Sequence, residues 1–483
     1  MNRLQHIIIS PLKKYRRLSV EKKSVIWYTI CNVMQKGISF LTIPIITRLL
    51  TTDEYGIYSV FLSWRDIIII FATLNLFCGV YTKILVDHKD TESECTSAIQ
   101  WLGTTISLIY LLVYFCFREP INNLLGYDTP TMLMLFGYYI FYPAFSLWCT
   151  KQRIDNNYIL MVIVTIIVSV FIPLLSICLI LFTSLRQYGP IWGTLIVYIV
   201  FGSFFFILNT YKGKVIYDKL IWRYAIKYNV PLIPHYLSMI VLGQSDRLMI
   251  KYFEDDSKAG IYSLAYQISS MMNIVFNAIN SAFVPRAYRL MKEKKTDVLN
   301  NESMKLAIGA LLISSLGIII APECVLIMGG KNYNEAIYVI PAVCMAVFVR
   351  FVYSFFCNYE FYFSKTRNIM MASAIAAVIN IVLNWIFIPI FGYFAAGYTT
   401  LVGYLFLFVF HYLFAQKIST DNFGKKAYNN KSILFIVLIT CILSVILPVL
   451  YLFIIIRYTL IILFAIFCFI RRKSIIALFK SVG

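Results

Sequence analysis

Apolar stretches of about 18 residues or more recur along the chain from Ser24 to Ile470, separated by short polar connections. Coiled as a helix at about 1.5 Å per residue, each is long enough to cross a hydrocarbon core of about 30 Å. The pattern predicts fourteen spans, at residues 24–49, 55–81, 96–117, 130–149, 157–183, 189–210, 226–249, 259–285, 304–328, 335–362, 368–391, 395–416, 432–451 and 453–470. The short alternating strands of a membrane β-barrel are absent. The fold class expected is an all-α integral membrane protein.

Polar positions inside these runs are not scattered. In hydrocarbon a polar side chain is costly unless it meets a partner or water, so a polar stripe on one helix face reports a wet cavity or a packed interface. Asn32, Gln35, Lys36, Ser39 and Thr42 share one face of the first span, at helical spacing. Ser59, Ser63, Asp66 and Thr73 do so in the second, with Arg65 beside them. His235, Ser238, Ser245 and Asp246 mark the seventh, and Tyr262, Tyr266, Ser270, Asn273, Asn277 and Asn280 form a continuous track along the eighth.

The spans also repeat. Thr47-Arg-Leu-Leu-Thr-Thr-Asp-Glu-Tyr-Gly-Ile-Tyr-Ser59 returns as Asp246-Arg-Leu-Met-Ile-Lys-Tyr-Phe-Glu-Asp-Asp-Ser-Lys-Ala-Gly-Ile-Tyr-Ser263, each copy joining the end of one span to the start of the next. Such self-similarity predicts two duplicated halves with the substrate path between them. Three regions follow: an N-terminal bundle over 1–212, a second over 213–418, and two additional helices over 419–483, read as a peripheral pair facing lipid.

Composition agrees. With 60% hydrophobic and 14% charged residues and a mean hydropathy of +0.77, the 483-residue chain is no soluble globule. The net charge of +20 is mainly topological: most of the 43 lysines and arginines fall on one side of the membrane if both termini are cytoplasmic. A basic tail over 1–23 precedes a first span that reads as retained rather than as a cleaved signal. No folded basic domain argues for nucleic acid. The eleven cysteines are dispersed with no C-x-x-C pair, which indicates neither a disulfide framework nor a zinc site. No phosphate-binding G-x-x-x-x-G-K-[ST] sequence occurs, and the outer connections are short, the longest being 118–129. Hydrolysis-driven transport in this chain is thereby excluded, and a membrane glycosyltransferase or polymerase is disfavoured.

Lys36, Arg65, Asp66, Arg350 and Glu360 lie well inside apolar runs, where a charge costs about 2.5–3.5 kcal/mol on insertion scales. Arg65 and Asp66 point about 100° apart and need not pair with each other. Lys36, Arg65 and Arg350 are expected to give a cavity a positive lining for an anionic head group, with Asn32, Gln35, Tyr266, Asn273, Asn277 and Asn280 replacing its water. The alternative is structural pairing, Lys36 with Asp66 and Arg350 with Glu360. Asp246 and Arg247 are placed at the outer end of the seventh span, within snorkelling reach of head groups. Pro231 and Pro234 interrupt that span beside His235 and mark a bending point, and Pro44, Pro173 and Pro341 are expected to break other spans.

Pro44-Ile-Ile-Thr-Arg-Leu-Leu-Thr-Thr-Asp-Glu-Tyr-Gly-Ile-Tyr58 resembles the N-terminal signature of Wzx-type O-antigen and polysaccharide flippases, in the multidrug/oligosaccharidyl-lipid/polysaccharide exporter superfamily, and Ser245–Ile250 with Ala259–Tyr266 resembles its second-half signature. The resemblance implies two six-helix bundles moving an undecaprenyl-diphosphate-linked oligosaccharide across a bacterial inner membrane by alternating access. It implies no cofactor, and coupling to a proton or sodium gradient, for which Asp66, Glu360 and His235 are the groups available. The partners expected are the lipid-linked glycan, the bilayer and other polysaccharide-assembly proteins. A lipid II or teichoic-type flippase and a cation or drug antiporter of the same superfamily stay open.

Overall fold

The computed structural model describes residues 19–470; the rest of the basic tail, residues 1–18, and the basic residues 471–483 lie outside the described residues. The described chain is helical, with no strand among the described residues. This follows from the solvent: with no water to take up backbone N–H and C=O groups, a helix that satisfies them internally is the favoured crossing structure.

The helices run α1 Val20–Leu49, α2 Thr52–Thr73, α3 Val80–Asp87, α4 Glu92–Cys116, α5 Arg118–Leu125, α6 Thr129–Ile154, α7 Tyr158–Phe182, α8 Gly189–Gly213, α9 Lys219–Asn229, α10 Ile233–Phe253, α11 Asp256–Ser270, α12 Met272–Lys292, α13 Thr296–Ile319, α14 Ala321–Met328, α15 Ile340–Tyr362, α16 Thr366–Phe391, α17 Phe394–Phe423, α18 Asn430–Ile446 and α19 Ile454–Ile470. Among the described residues, eleven helical segments are long and apolar enough to cross a membrane. The expected spans outside that set are the seventh, the eighth and the last, which are carried by α10, by α11 with α12, and by α19.

Several boundaries differ from expectation for identifiable reasons. The second span stops at Thr73, because Leu74 and Asn75 adopt positive φ and Thr73 Oγ1 accepts the Asn75 N–H at 3.2 Å. The eighth is divided at Met271, where the bonding tightens to three-residue spacing. Pro44 and Pro173 lie inside unbroken helices, and Pro341 occupies the first turn of α15, where its missing N–H removes no bond. Pro231 and Pro234 do interrupt: a 3-10 turn, Val230–Leu232, separates α9 from α10.

The chain forms two compact units, one containing the chain up to Ile46 together with Trp64–Ile233, the other Thr47–Ser63 and the chain from Pro234 onward. In the first, α8 packs along α6 and α7, with α4 beside them. Trp148 and Phe205 stack at 4.2 Å in its core. Gln100 and Asn209, both buried, hydrogen-bond each other at 3.0 Å, so these polar groups serve packing.

In the second unit, α15 is the central helix, packed most extensively on α17 and also against α11, α12 and α13. The two copies of the repeat meet here, glycine to backbone. A methyl group on Gly56 would lie 2.5 Å from the carbonyl carbon of Asp256, four residues before Gly260. A methyl on Gly260 would collide with the carbonyl of Thr52, four residues before Gly56. The contact is therefore reciprocal, as at an isologous interface, and close enough for Ser257 Oγ to donate to Thr52 Oγ1 at 2.7 Å. Arg48 donates to the Ile327 carbonyl at 2.9 Å and Thr47 to that of Met328, satisfying the end of α14. The last helix is less featureless than its sequence: Arg457, 5% exposed, binds Glu323 at 2.5 Å.

Candidate functional site

In the first unit, one of the two cations expected to line a cavity is engaged. Arg65 and Asp66 do pair with each other: Asp66 Oδ1 accepts from Arg65 Nε at 2.9 Å and Nη2 at 2.7 Å, because both side chains fold back along the helix surface. The guanidinium lies 5.7 Å from the Tyr138 ring centroid, in an aromatic cluster where Tyr138 stacks on Tyr142 at 4.8 Å and Tyr142 meets Tyr198 edge-on at 5.1 Å. Arg65 thus presents a neutralised ion pair rather than a free cation. On α1, Asn32 and Lys36 are accessible, Gln35 donates to Ser169 Oγ at 3.2 Å, and Lys36 forms no ion pair among the described residues.

The second unit is different. α15 is buried along nearly its whole length, and its accessible positions at mid-helix are Arg350, Tyr353 and Ser354, one face at i, i+3 and i+4. Arg350 forms no ion pair among the described residues; Glu360, its expected partner, instead binds His411 at 2.5 Å. Its surroundings are phenolic, with Tyr266, Tyr353 and Tyr404 around it. A cation that is accessible yet walled by aromatic rings can exchange neutral partners for a stronger, charged one.

Beside it runs the polar track of the eighth span, in two parts. Tyr262 is buried and belongs to the core, whereas Tyr266, Asn273, Asn277 and Asn280 are partly or fully accessible. Ser354 Oγ donates to Asn280 Oδ1 at 3.3 Å, which ties the Arg350 face of α15 to this track on α12. Tyr266 is shared by two guanidinium groups, since Arg247 sits 4.6 Å from its ring centroid.

Asp246 and Arg247 do not reach for head groups; both are buried, at 0% and 7% exposure. Adjacent on α10, they diverge into separate sets of neutral partners. Arg247 donates to Ser263 Oγ at 3.0 Å and to the Gly243 carbonyl and Gln244 Oε1 at 2.8 Å. Asp246 accepts from Tyr262 at 2.6 Å, Asn384 at 2.7 Å and Thr400 at 2.8 Å. Asn384 and Asn380, on α16, and Thr399 and Thr400, on α17, continue this network. His235 is half-buried with its Nδ1 unpartnered, beside Tyr236.

Reading the sequence for charges misses Tyr353 and Tyr404, which have no unusual spacing, and His411, whose carboxylate partner lies 51 positions away. The pairs Asn380/Asn384 and Thr399/Thr400 do carry a signal, as polar groups one turn apart or adjacent in apolar helices.

A family described as polysaccharide biosynthesis protein matches residues 22–291, more than half of the chain. The chain belongs to that family. Among curated relatives of this polysaccharide biosynthesis protein, a protein of the Lsg locus of Haemophilus influenzae is 28% identical over 33% of the chain and 40% of its own length. The succinoglycan biosynthesis transport protein ExoT of Rhizobium meliloti is 22% identical over 56% of the chain and 55% of its own length. The chain thus matches about half or less of the length of these two relatives. In architecture it is similar to the lipid II flippase MurJ in an inward closed conformation, with a TM-score of 0.68 at 15% identity over 93% of this chain and 100% of that one. The protein is a multi-pass membrane protein whose helical fold is similar to that of this solved structure.

Proposed function

We propose that this protein is a flippase that carries an undecaprenyl-diphosphate-linked oligosaccharide, an O-antigen, capsular or exopolysaccharide repeat unit, from the inner to the outer leaflet of a bacterial inner membrane by alternating access. Both termini lie in the cytoplasm on this reading. The observation that carries it is Arg350, an accessible guanidinium at the middle of a buried helix, with no carboxylate partner among the described residues and tyrosines around it. A diphosphate supplies the missing anion, and bidentate hydrogen bonds to guanidinium are the strong form of that contact. Asn273, Asn277, Asn280 and Tyr266 offer donors and acceptors to the first sugars. In the first unit, Lys36 is the accessible cation, and Arg65 offers no free charge, being paired with Asp66. Of the groups considered for ion coupling, Asp66 and Glu360 are engaged by Arg65 and His411. His235 lies in the first turn of α10, just after the 3-10 turn, and Asp246 is a buried carboxylate with no ion pair among the described residues.

The test is replacement of Arg350 by Ala in cells that depend on this protein for surface polysaccharide, with membrane levels matched to wild type. Surface polysaccharide is expected to fall at least about tenfold while lipid-linked repeat unit accumulates on the cytoplasmic side. Unchanged export would refute the role of Arg350. Deleting the gene without losing any surface glycan would refute the assignment as a whole.

A further inference from the structure

Two helices of the second unit bring three metal-ligating side chains together in its core. Cys357 and Glu360, three residues apart, share a face of α15, and His411 reaches them from α17. Their ligand atoms all lie within 4.8 Å of one another, and the residues are 5%, 0% and 1% exposed. Glu360 Oε1 lies 2.5 Å from His411 Nδ1, but Glu360 Oε2 is buried with no hydrogen-bond partner. A carboxylate oxygen left bare in a membrane-protein core is costly, and a protonated imidazole bonded to the other oxygen does not relieve it.

We propose that Cys357, Glu360 and His411 form a buried site for a zinc-type divalent transition-metal ion. Charge is the first argument. A thiolate, a carboxylate and a neutral imidazole around a doubly positive ion sum to zero, the state that an apolar core tolerates best. Ligand chemistry is the second: sulfur, nitrogen and one oxygen select zinc over magnesium or calcium, which take oxygen sets. Geometry is the third. Around a tetrahedral ion with bonds of about 2.0–2.3 Å, ligand atoms stand about 3.3–3.8 Å apart. Glu360 and His411 must therefore open slightly from their present contact and Cys357 close in, movements of about 1 Å. Binding releases to solvent the thiol proton and the proton shared by Glu360 and His411, so affinity falls in acid. Access is short, because Tyr353, partly accessible, stacks on His411 at 5.4 Å with planes 22° apart.

This site is independent of the transport reading. Purified protein in detergent, tag removed and metal stripped, is titrated with cobalt(II) and then zinc(II). One cobalt per chain is expected, with a thiolate-to-metal charge-transfer band that zinc abolishes. The band should be missing in Cys357→Ser, and affinity should drop at least about tenfold in His411→Ala. Zinc should raise the Tm of the wild type and leave that of Cys357→Ser unchanged. Failure of the folded wild type to bind one ion per chain overturns the proposal, as does a charge-transfer band that survives Cys357→Ser. Should His411→Ala fail to fold, the wild-type titration decides alone. In the overturned case, Glu360 and His411 are a pair satisfied by protons.

Discussion

The reciprocal glycine contact allows a prediction whose size comes from the structure. Gly56→Ala places a methyl carbon 2.5 Å from the Asp256 carbonyl carbon and 3.2 Å from its Cα. Unstrained contacts sit at about 3.5–4.0 Å and the Asp256 carbonyl oxygen lies closer to the methyl than its carbon does, so α2 and α11 must separate by at least about 1.5 Å at this point. The obstacle is backbone on both sides, which no rotamer change relieves. Overpacking of this kind costs about 1–3 kcal/mol. Against it stands the gain of replacing a glycine inside a helix, about 0.5–1 kcal/mol. With backbone meeting backbone the upper part of that range applies, about 2–3 kcal/mol, so the clash wins by about 1–2.5 kcal/mol, and at about 2–4 °C per kcal/mol for a unit of this size the Tm should fall by about 2–10 °C.

Gly309, inside α13, supplies the control. A methyl group there would meet nothing within 4 Å, so Gly309→Ala should leave Tm unchanged or raise it. Thermal unfolding in detergent, followed by loss of the monodisperse elution peak, measures both. Gly56→Ala combined with Gly260→Ala should cost less than the sum of the singles, since helices already parted by the first methyl leave room for the second. A Gly56→Ala protein as stable as Gly309→Ala would show that the two copies of the repeat do not touch in this way, and the reciprocal contact would have to be abandoned.

Further outcomes follow from the site. Arg350→Lys should retain part of the export that Arg350→Ala loses, because an ammonium keeps the charge but not the planar fork; equally low export by the two would mean that charge without the fork is not read. Asp246→Ala leaves Tyr262, Asn384 and Thr400 donating into an empty space and should destabilise the second unit by about 1–3 kcal/mol, measured as a Tm fall; a Tm equal to wild type would mean these donors find other partners. In the connection that precedes α15, Glu335 bonds Lys258 and Tyr393, both at 2.7 Å, and the Lys258 contact first, then Tyr393, holds its carboxyl below the usual range. A depressed folded pKa contributes stability above the unfolded value of about 4.3 and loses it as pH falls through the folded one. Glu335→Gln should therefore lower Tm at pH 7 and converge with wild type toward acid; a constant gap down to low pH would refute the linkage.

The helices, the repeat and the presence of intramembrane charge are legible in the sequence, because each is written in local period and composition. Partner choice is the part it conceals. Arg65 and Asp66 point apart as helix positions, yet a long guanidinium stem bends back across that angle. Glu360 shares its span with Arg350, while its actual partner lies on another helix. Asp246 and Arg247 look like residues at a span's end because the apolar run thins there, and only the packing of α11, α16 and α17 around them encloses both. Prolines mislead for the opposite reason: α1 and α7 run on through Pro44 and Pro173, whereas two prolines three residues apart at Pro231 and Pro234 accompany a 3-10 turn.

The repeat also shows how duplicated backbone came to carry unequal chemistry. Thr47 and Arg48 hold the places that Asp246 and Arg247 hold in the second copy, and both copies go on to Gly-Ile-Tyr-Ser. In the first, the pair caps the carbonyls of Ile327 and Met328, with Arg48 exposed, a role any helix end requires. In the second, five more residues separate the arginine from the glycine; they lengthen α10 beyond Arg247, while the connection to the next helix stays two residues long in both copies, and the pair is drawn inside among neutral donors and acceptors. Such groups are costly to bury, and replacing them with threonine and an exposed arginine is an alternative this very chain displays. Their burial in the copy that also holds the accessible Arg350 is therefore an argument for work done there, rather than for stability.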